Sequence, residues 1–319
     1  MVAPKLTGIF CPHMVPLDEQ DRINEPELRR LVDFLIDRGV HGLYPNGSTG
    51  EFTRFTFEER KEIVRIVTEQ AAGRVKIMAG ASEANLKQTV EACEYYHSLG
   101  CDTAALVPPY YYPVQQPNVR EYFLTVARYS PIDLTIYKIP QFTTDVALET
   151  IKRLAEQPKI IGIKDSSRDF PGYLVMMHEI RAFRPDFSFL IGCEEILVPS
   201  LLMGGNGGTI ATSGVVPELI VEMYNATLAG ELPRAIELQY SLLRLIKQLV
   251  FGAEFPEGVR VAMKTRGFAM GQSRMPMSPE VRLDAERVAS ELTSLLGGLG
   301  CALQADGAAP SLCRGPQAT

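Results

Sequence analysis

Lys164 closes the run IIGIK, after four residues suited to a buried strand, and is followed by Asp165, Ser166 and Ser167. A primary amine at a strand end, set in an apolar cavity, is a nucleophile toward carbonyl carbon, because burial disfavours the ammonium form. Tyr137 lies near the end of the preceding apolar run, LTIYKIP. Its phenol can pass protons among water, an imine and a substrate hydroxyl. Each residue also has an ordinary reading. A strand-end lysine commonly reaches solvent and pairs with a neighbouring acid, here Asp165 or Glu194, and a core tyrosine commonly bonds a backbone group. Lys138 is the rival nucleophile. Strand alternation sends Tyr137 and Lys138 to opposite faces, so only one of them faces the interior.

Two further segments carry polar groups that chemistry could use. In GLYPNGSTGEF (42–52), Gly47 and Gly50 permit tight turns. The backbone N–H groups there, with the hydroxyls of Ser48 and Thr49, can gather around a carboxylate. An ordinary turn and helix entry is the competing reading. Tyr110, Tyr111 and Tyr112 are adjacent and cannot all be core residues, so at least one faces a site or an interface. His13, His41, His97 and His178 are isolated, and the six cysteines (Cys11, Cys93, Cys101, Cys193, Cys301, Cys313) contain no CxxC pair. No metal-ligand spacing results, and no metal or cofactor is expected, since a lysine imine is itself an electron sink.

The elements that must position these residues alternate regularly. Strand-like runs at 6–14, 42–48, 76–81, 104–111, 134–140, 160–167, 187–194 and 207–214 alternate with helical patterns near 25–38, 56–72, 84–98, 117–128, 146–156, 170–183, 195–203 and 217–229. Asn24 offers an N-cap to the first helix, Pro26 suits its first turn, and Gly39 ends it. Continuous apolar strands joined by helices imply a parallel sheet covered by helices. Eight such units predict an α/β fold of the (β/α)8 TIM barrel type rather than an open doubly wound sheet, and no GxGxxG or GxxxxGK[ST] follows the first strand. A barrel of this kind places its active site at the C-terminal strand ends, where Lys164 and Tyr137 stand. Helical patterns near 231–250, 258–270 and 279–297, with no strands between them, predict a three-helix appendage. The expected organisation is a catalytic barrel over 1–224, a helical region over 225–298 and a disordered tail over 299–319, the last rich in Gly, Ala and Pro.

Bulk properties limit the partners. A net charge of −6 without basic runs argues against nucleic acid and anionic membranes. No apolar stretch approaches the ~20 residues of a membrane span. The first residues lack a secretory pattern, and scattered cysteines suit a reducing cytoplasm.

The motifs GSTGE (47–51), PYYYP (109–113), YKIP (137–140) and GIKDSS (162–167), in this order, resemble the family of dihydrodipicolinate synthase and N-acetylneuraminate lyase, the class I Schiff-base pyruvate aldolases. The resemblance runs from about residue 6 to 297 and implies a barrel with a three-helix C-terminal region. It implies that Lys164 forms the imine and Tyr137 shuttles protons. Ser48 and Thr49 would hold the 2-oxo acid carboxylate and join the proton relay. Tyr111 would cross into a neighbouring subunit's site within a homotetramer, a dimer of dimers. The Thr209 carbonyl would lie near the imine. Ser166, Glu194 and Glu195 would contact the distal part of longer substrates. For Lys138, where the family usually has Asn, nothing is implied.

Departures from the family pattern bear on the substrate. Synthases carry a carboxylate-binding arginine where this chain has Phe142, which cannot make a bidentate contact. A serine expected after strand eight in sialate lyases is Ala211, although GCEE (192–195) keeps two acids. The favoured expectation is therefore a lyase that cleaves a 2-oxo-3-deoxy sugar acid of the 2-keto-3-deoxygluconate type to pyruvate and an aldehyde. The alternatives are 4-hydroxy-tetrahydrodipicolinate synthase, N-acetylneuraminate lyase, a dehydratase or deaminase using the same imine, and a non-catalytic barrel that binds a small acid.

Overall fold

The computed structural model describes residues 3–251, 254–278, 285–298 and 303. Eight parallel strands close into a barrel in sequence order: β1 (Gly8–Cys11), β2 (Gly42–Leu43), β3 (Lys76–Gly80), β4 (Thr103–Leu106), β5 (Asp133–Lys138), β6 (Ile160–Asp165), β7 (Ser188–Ile191) and β8 (Gly207–Gly208). The connecting helices are α1 (Glu25–Asp37), α2 (Phe57–Ala71), α3 (Leu86–Ser98), α4 (Gln116–Tyr129), α5 (Leu148–Ala155), α6 (Phe170–Arg181), α7 (Leu197–Leu202) and α8 (Pro217–Leu228). The expected (β/α)8 barrel is thus present.

Helix starts follow local chemistry. Asn24 caps α1 by accepting from the Glu27 N–H at 3.3 Å. Thr56 and Glu59 form a reciprocal capping box on α2, which leaves neither donor unmet. Each such cap contributes about 1 kcal/mol.

Strand alternation separates two cores. Ile9, Leu43, Ile77, Ala104, Ile136, Ile163 and Phe189 face the helices. Phe10, Tyr44, Met78, Ala105, Tyr137 and Leu190 fill the barrel interior. The seam between first and last strands depends on glycine: a Cβ on Gly207 would lie 1.9 Å from the Gly8 carbonyl oxygen. That close approach excludes every other residue there.

The strands are shorter than the apolar runs suggested. β2 and β8 have two residues each. The run expected to remain extended to 214 turns instead into a 3-10 segment over Ala211–Gly214, where the Thr212 N–H donates to Glu194 and the Ser213 N–H to the Ile210 carbonyl. These loop bonds outcompete strand pairing at the barrel rim.

The C-terminal helices are α9 (Leu232–Ile246), α10 (Glu257–Thr265) and α11 (Ala285–Gly298). The helix expected over 231–250 passes after Ile246 into a wider π turn, Lys247–Phe251. The one expected over 258–270 stops at Thr265, where Gly267 takes φ 86°. Of the helix expected over 279–297, residues 279–284 lie outside the described residues, as does the expected disordered tail apart from Leu303. Glu218 on α8 joins Arg38 after α1 (3.1 Å) and Arg266 after α10 (2.6 Å), tying this region to the closing barrel helices.

Candidate active site

At the C-terminal mouth of the barrel lies a cavity of about 250 Å³. It is smaller than the ~300–1,000 Å³ of sites for drug-sized ligands, so it suits a small acid. Lys164, Tyr137, Ser48, Thr49, Ser166, Phe142, Glu194 and Thr209 all line it. They come from the ends of five strands and the connections that follow them, far apart in sequence.

β5 and β6 pair in a register that sets Tyr137 opposite Lys164. Both side chains point inward, and Lys164 is 4% exposed. Its Nζ lies 3.9 Å from the centre of the Tyr137 ring and 4.8 Å from that of Tyr44. Among the described residues no carboxylate comes within ion-pair distance of it. The two acids that could have neutralised it are engaged elsewhere. Asp165 faces outward, beside Lys138, and accepts from the Ser167 N–H at 2.7 Å. Glu194 accepts from the Thr212 N–H at 3.0 Å. Burial pushes the Glu194 carboxyl above the usual carboxylate range, opposed by its backbone hydrogen bonds. Lys138 points to the outer face and pairs with Asp145, as alternation required.

The Tyr137 hydroxyl has Ser48 Oγ at 3.4 Å, a loose contact that a bound substrate can tighten. Ser48 and Thr49 sit on the turn after β2. Ahead of that turn, Asn46 is anchored by its side-chain amide to the Arg60 carbonyl (2.9 Å) and the Tyr96 hydroxyl (3.1 Å). Thr209 is buried, and among the described residues its hydroxyl has no hydrogen-bond partner. Gly192 makes room for Ser166: a Cβ there would lie 2.0 Å from Ser166 Oγ.

Two expected site residues stand apart from this cavity. Glu195 is outside its lining and bonds Arg168 at 2.9 Å. Tyr111 is 86% exposed, with φ 78° and its ring against Tyr112. A tyrosine held in the left-handed region carries backbone strain, which marks the loop as one shaped for a contact. Tyr110 turns back instead, meets Phe52 edge-on, and lines an annex of about 240 Å³ that shares Ser48, Ile139, Phe142 and Phe255 with the main cavity.

Several residues at or beside the cavity escaped the sequence reading. Tyr44 flanks the amine. Its place after Leu43, at the inward phase of β2, was a usable signal. Arg168, with φ 63°, lines the far wall and lies over Phe251 at 4.8 Å. Its charge is committed to Glu195, so this wall presents a neutral pair. Val250, Phe251 and Phe255 descend from the π turn and the segment after it. No local pattern in those residues announces a barrel mouth.

The arrangement can bind an acid at Ser48 and Thr49, present a carbonyl to an amine, and move a proton through a phenol. Comparison with known proteins agrees with that chemistry. The family described as the dihydrodipicolinate synthetase family matches residues 5–295. A DapA-like lyase of Thermofilum pendens is 30% identical, covering 90% of this chain and 97% of its own length. A 4-hydroxy-tetrahydrodipicolinate synthase of Methanopyrus kandleri is 34% identical, covering 92% and 97%. The crystal structure of YagE from E. coli K12, a prophage protein of the dihydrodipicolinic acid synthase family in complex with pyruvate, superposes with a TM-score of 0.84 at 29% identity over 93% of this chain and 100% of that one.

Proposed function

The chain belongs to the dihydrodipicolinate synthetase family of Schiff-base lyases, and on that premise we propose that it cleaves a 2-oxo-3-deoxy sugar acid to pyruvate and a neutral aldehyde. The observation that carries this reading is the buried Lys164 amine, with no carboxylate at ion-pair distance among the described residues, opposite Tyr137 in one cavity with Ser48, Thr49 and Thr209. Ser48 and Thr49 receive the carboxylate. The Lys164 nitrogen adds to C2, and loss of water gives the imine. The Tyr137 phenol gives its proton to the departing hydroxyl, which leaves a protonated imine and a phenolate; the C3–C4 bond then breaks, its electron pair moves toward the iminium nitrogen, and the phenolate takes the C4 hydroxyl proton. Protonation at C3 and hydrolysis release pyruvate and restore the amine.

Phe142 and the neutral Arg168–Glu195 pair support an aldehyde without a second carboxylate. Aspartate semialdehyde would leave its carboxylate beside a phenyl ring, which offers it no hydrogen-bond donor. We expect glyceraldehyde to condense with pyruvate more efficiently than the semialdehyde does. Phe142 is 59% exposed at the mouth, so the fold should accept Phe142→Arg. That variant should raise kcat/KM for the semialdehyde relative to glyceraldehyde by at least about tenfold, or ~1.4 kcal/mol. A tenfold preference for the semialdehyde in the unaltered enzyme would make it a synthase instead. Pyruvate release, coupled to a lactate dehydrogenase, separates cleavage from elimination, which keeps every carbon in one product.

We also propose a homotetramer. On α9, Leu232, Ile236, Tyr240 and Leu243 are exposed at helical spacing, with Leu202 and Met203 exposed at the end of neighbouring α7. Such an apolar stripe, together with the strained Tyr111 loop elsewhere, gives two separate faces for a dimer of dimers. Tyr240→Glu should halve the mass seen by light scattering at micromolar concentration. An unchanged tetramer would remove α9 from the interface. The described cysteines, Cys11, Cys93, Cys101 and Cys193, are unpaired, which fits a reducing compartment such as the cytoplasm. No helix among the described residues is long and apolar enough to cross a membrane.

A further inference from the structure

Glu51 ends the GSTGE turn, two residues after Thr49, with its backbone in the left-handed region at φ 54°. Its side chain is 2% exposed and bonds two arginines from different parts of the chain. One is Arg54, three residues on, at 2.5 Å. The other is Arg260 on α10, whose own side chain is 3% exposed. Arg260 spreads its three nitrogens over three acceptors: Glu51, Glu257 at 2.9 Å and the Met270 carbonyl at 3.0 Å. Glu257 in turn accepts from Arg54 at 3.1 Å and from the Ser273 hydroxyl at 2.7 Å. Two acids and two arginines balance in charge inside a site nearly closed to water.

The turn bearing Ser48 and Thr49 is therefore held at both ends. Asn46 ties its start to the barrel helices through the Arg60 carbonyl and Tyr96, and Glu51 ties its finish to the appendage. We propose that Arg260 and Glu257 are positioning residues, which act through Glu51 to hold Ser48 and Thr49 where the substrate carboxylate must bind. On this account the C-terminal helical region sets the enzyme's affinity for 2-oxo acids while touching no atom of them through these residues. The inference rests on the proposed imine chemistry, because Ser48 and Thr49 matter as a carboxylate cradle only there.

Only an arginine's planar fork reaches all three acceptors at once. A lysine keeps the charge but concentrates its donors at one point. Arg260→Lys is thus the first variant. The second is Glu51→Gln with Arg260→Met, which removes both charges and leaves no unpaired ion in the interior. Each folded protein is titrated with pyruvate under cyanoborohydride, and labelling at Lys164 is read by peptide mass. Acetaldehyde, a carbonyl with no carboxylate, is titrated in parallel. Half-saturating pyruvate should rise at least about tenfold in both variants, as expected when charge-assisted carboxylate contacts are misplaced. Acetaldehyde labelling should stay within about twofold, because the amine itself is unmoved. Equal weakening for both carbonyls would mean a general structural role and overturn the proposal, as would no change for either. Absence of pyruvate labelling in the unaltered enzyme would instead sink the imine reading itself.

Discussion

Replacing Lys164 by alanine should abolish reductive trapping of pyruvate and reduce lyase activity to background. On the proposed imine chemistry the amine is the nucleophile, and among the described residues no other amine lines the cavity: Lys138 faces outward, paired with Asp145, and the Arg168 guanidinium is held by Glu195. Borohydride with pyruvate should add one reduced pyruvyl mass to the peptide containing Lys164 in the parent protein. A Lys138→Ala variant should label normally. The fold should survive the Lys164 change, since among the described residues the amine makes neither an ion pair nor a hydrogen bond. Its thermal midpoint should therefore not fall by more than the few degrees that a small cavity costs. Undiminished labelling of Lys164→Ala would end the assignment.

Tyr137→Phe should produce the second largest loss. The variant keeps the ring, which packs with Tyr44 at 6.3 Å between centroids and covers the Lys164 amine. It removes only the hydroxyl, whose one protein partner is Ser48 at 3.4 Å. Stability should change by no more than ~0.5–1.5 kcal/mol, the net value of one hydrogen bond. Turnover should drop by about 10²–10⁴-fold, the usual contribution of a positioned acid–base group. Imine trapping should persist, slowed, because the amine still reaches the carbonyl. Tyr44 cannot substitute. Burial first, and the neighbouring Tyr137 phenol second, push its hydroxyl well above the usual phenol range, so it holds its proton. A Tyr137→Phe enzyme with turnover within threefold of the parent would remove the phenol from the proton path.

Much of the fold is legible in the order of residues alone. Alternating apolar runs and amphipathic helices specified eight β/α units, because a strand buried on both faces and a helix packed on one leave different periodicities. The same period placed Tyr137 and Lys138 on opposite faces, and the motifs around Ser48, Tyr137 and Lys164 carried the family. These are local properties, written within a few neighbouring residues.

Meetings between residues far apart in the chain emerge only on folding. The extent of the strands was one: β8 stops after Gly208 because the Thr212 N–H finds the Glu194 carboxylate, some eighteen positions away in sequence. The fate of GCEE was another. Glu194 turned into the cavity wall while Glu195 was taken by Arg168, a division that two adjacent glutamates do not announce. The appendage, which by pattern was merely three helices, brought Phe251 and Phe255 over the barrel mouth and Arg260 onto Glu51. Hydrophobic periodicity records which face of an element is buried, but not what it is buried against. The hydrogen bond from Arg260 on α10 to Glu51, 209 residues earlier, exists only once the chain has closed around it.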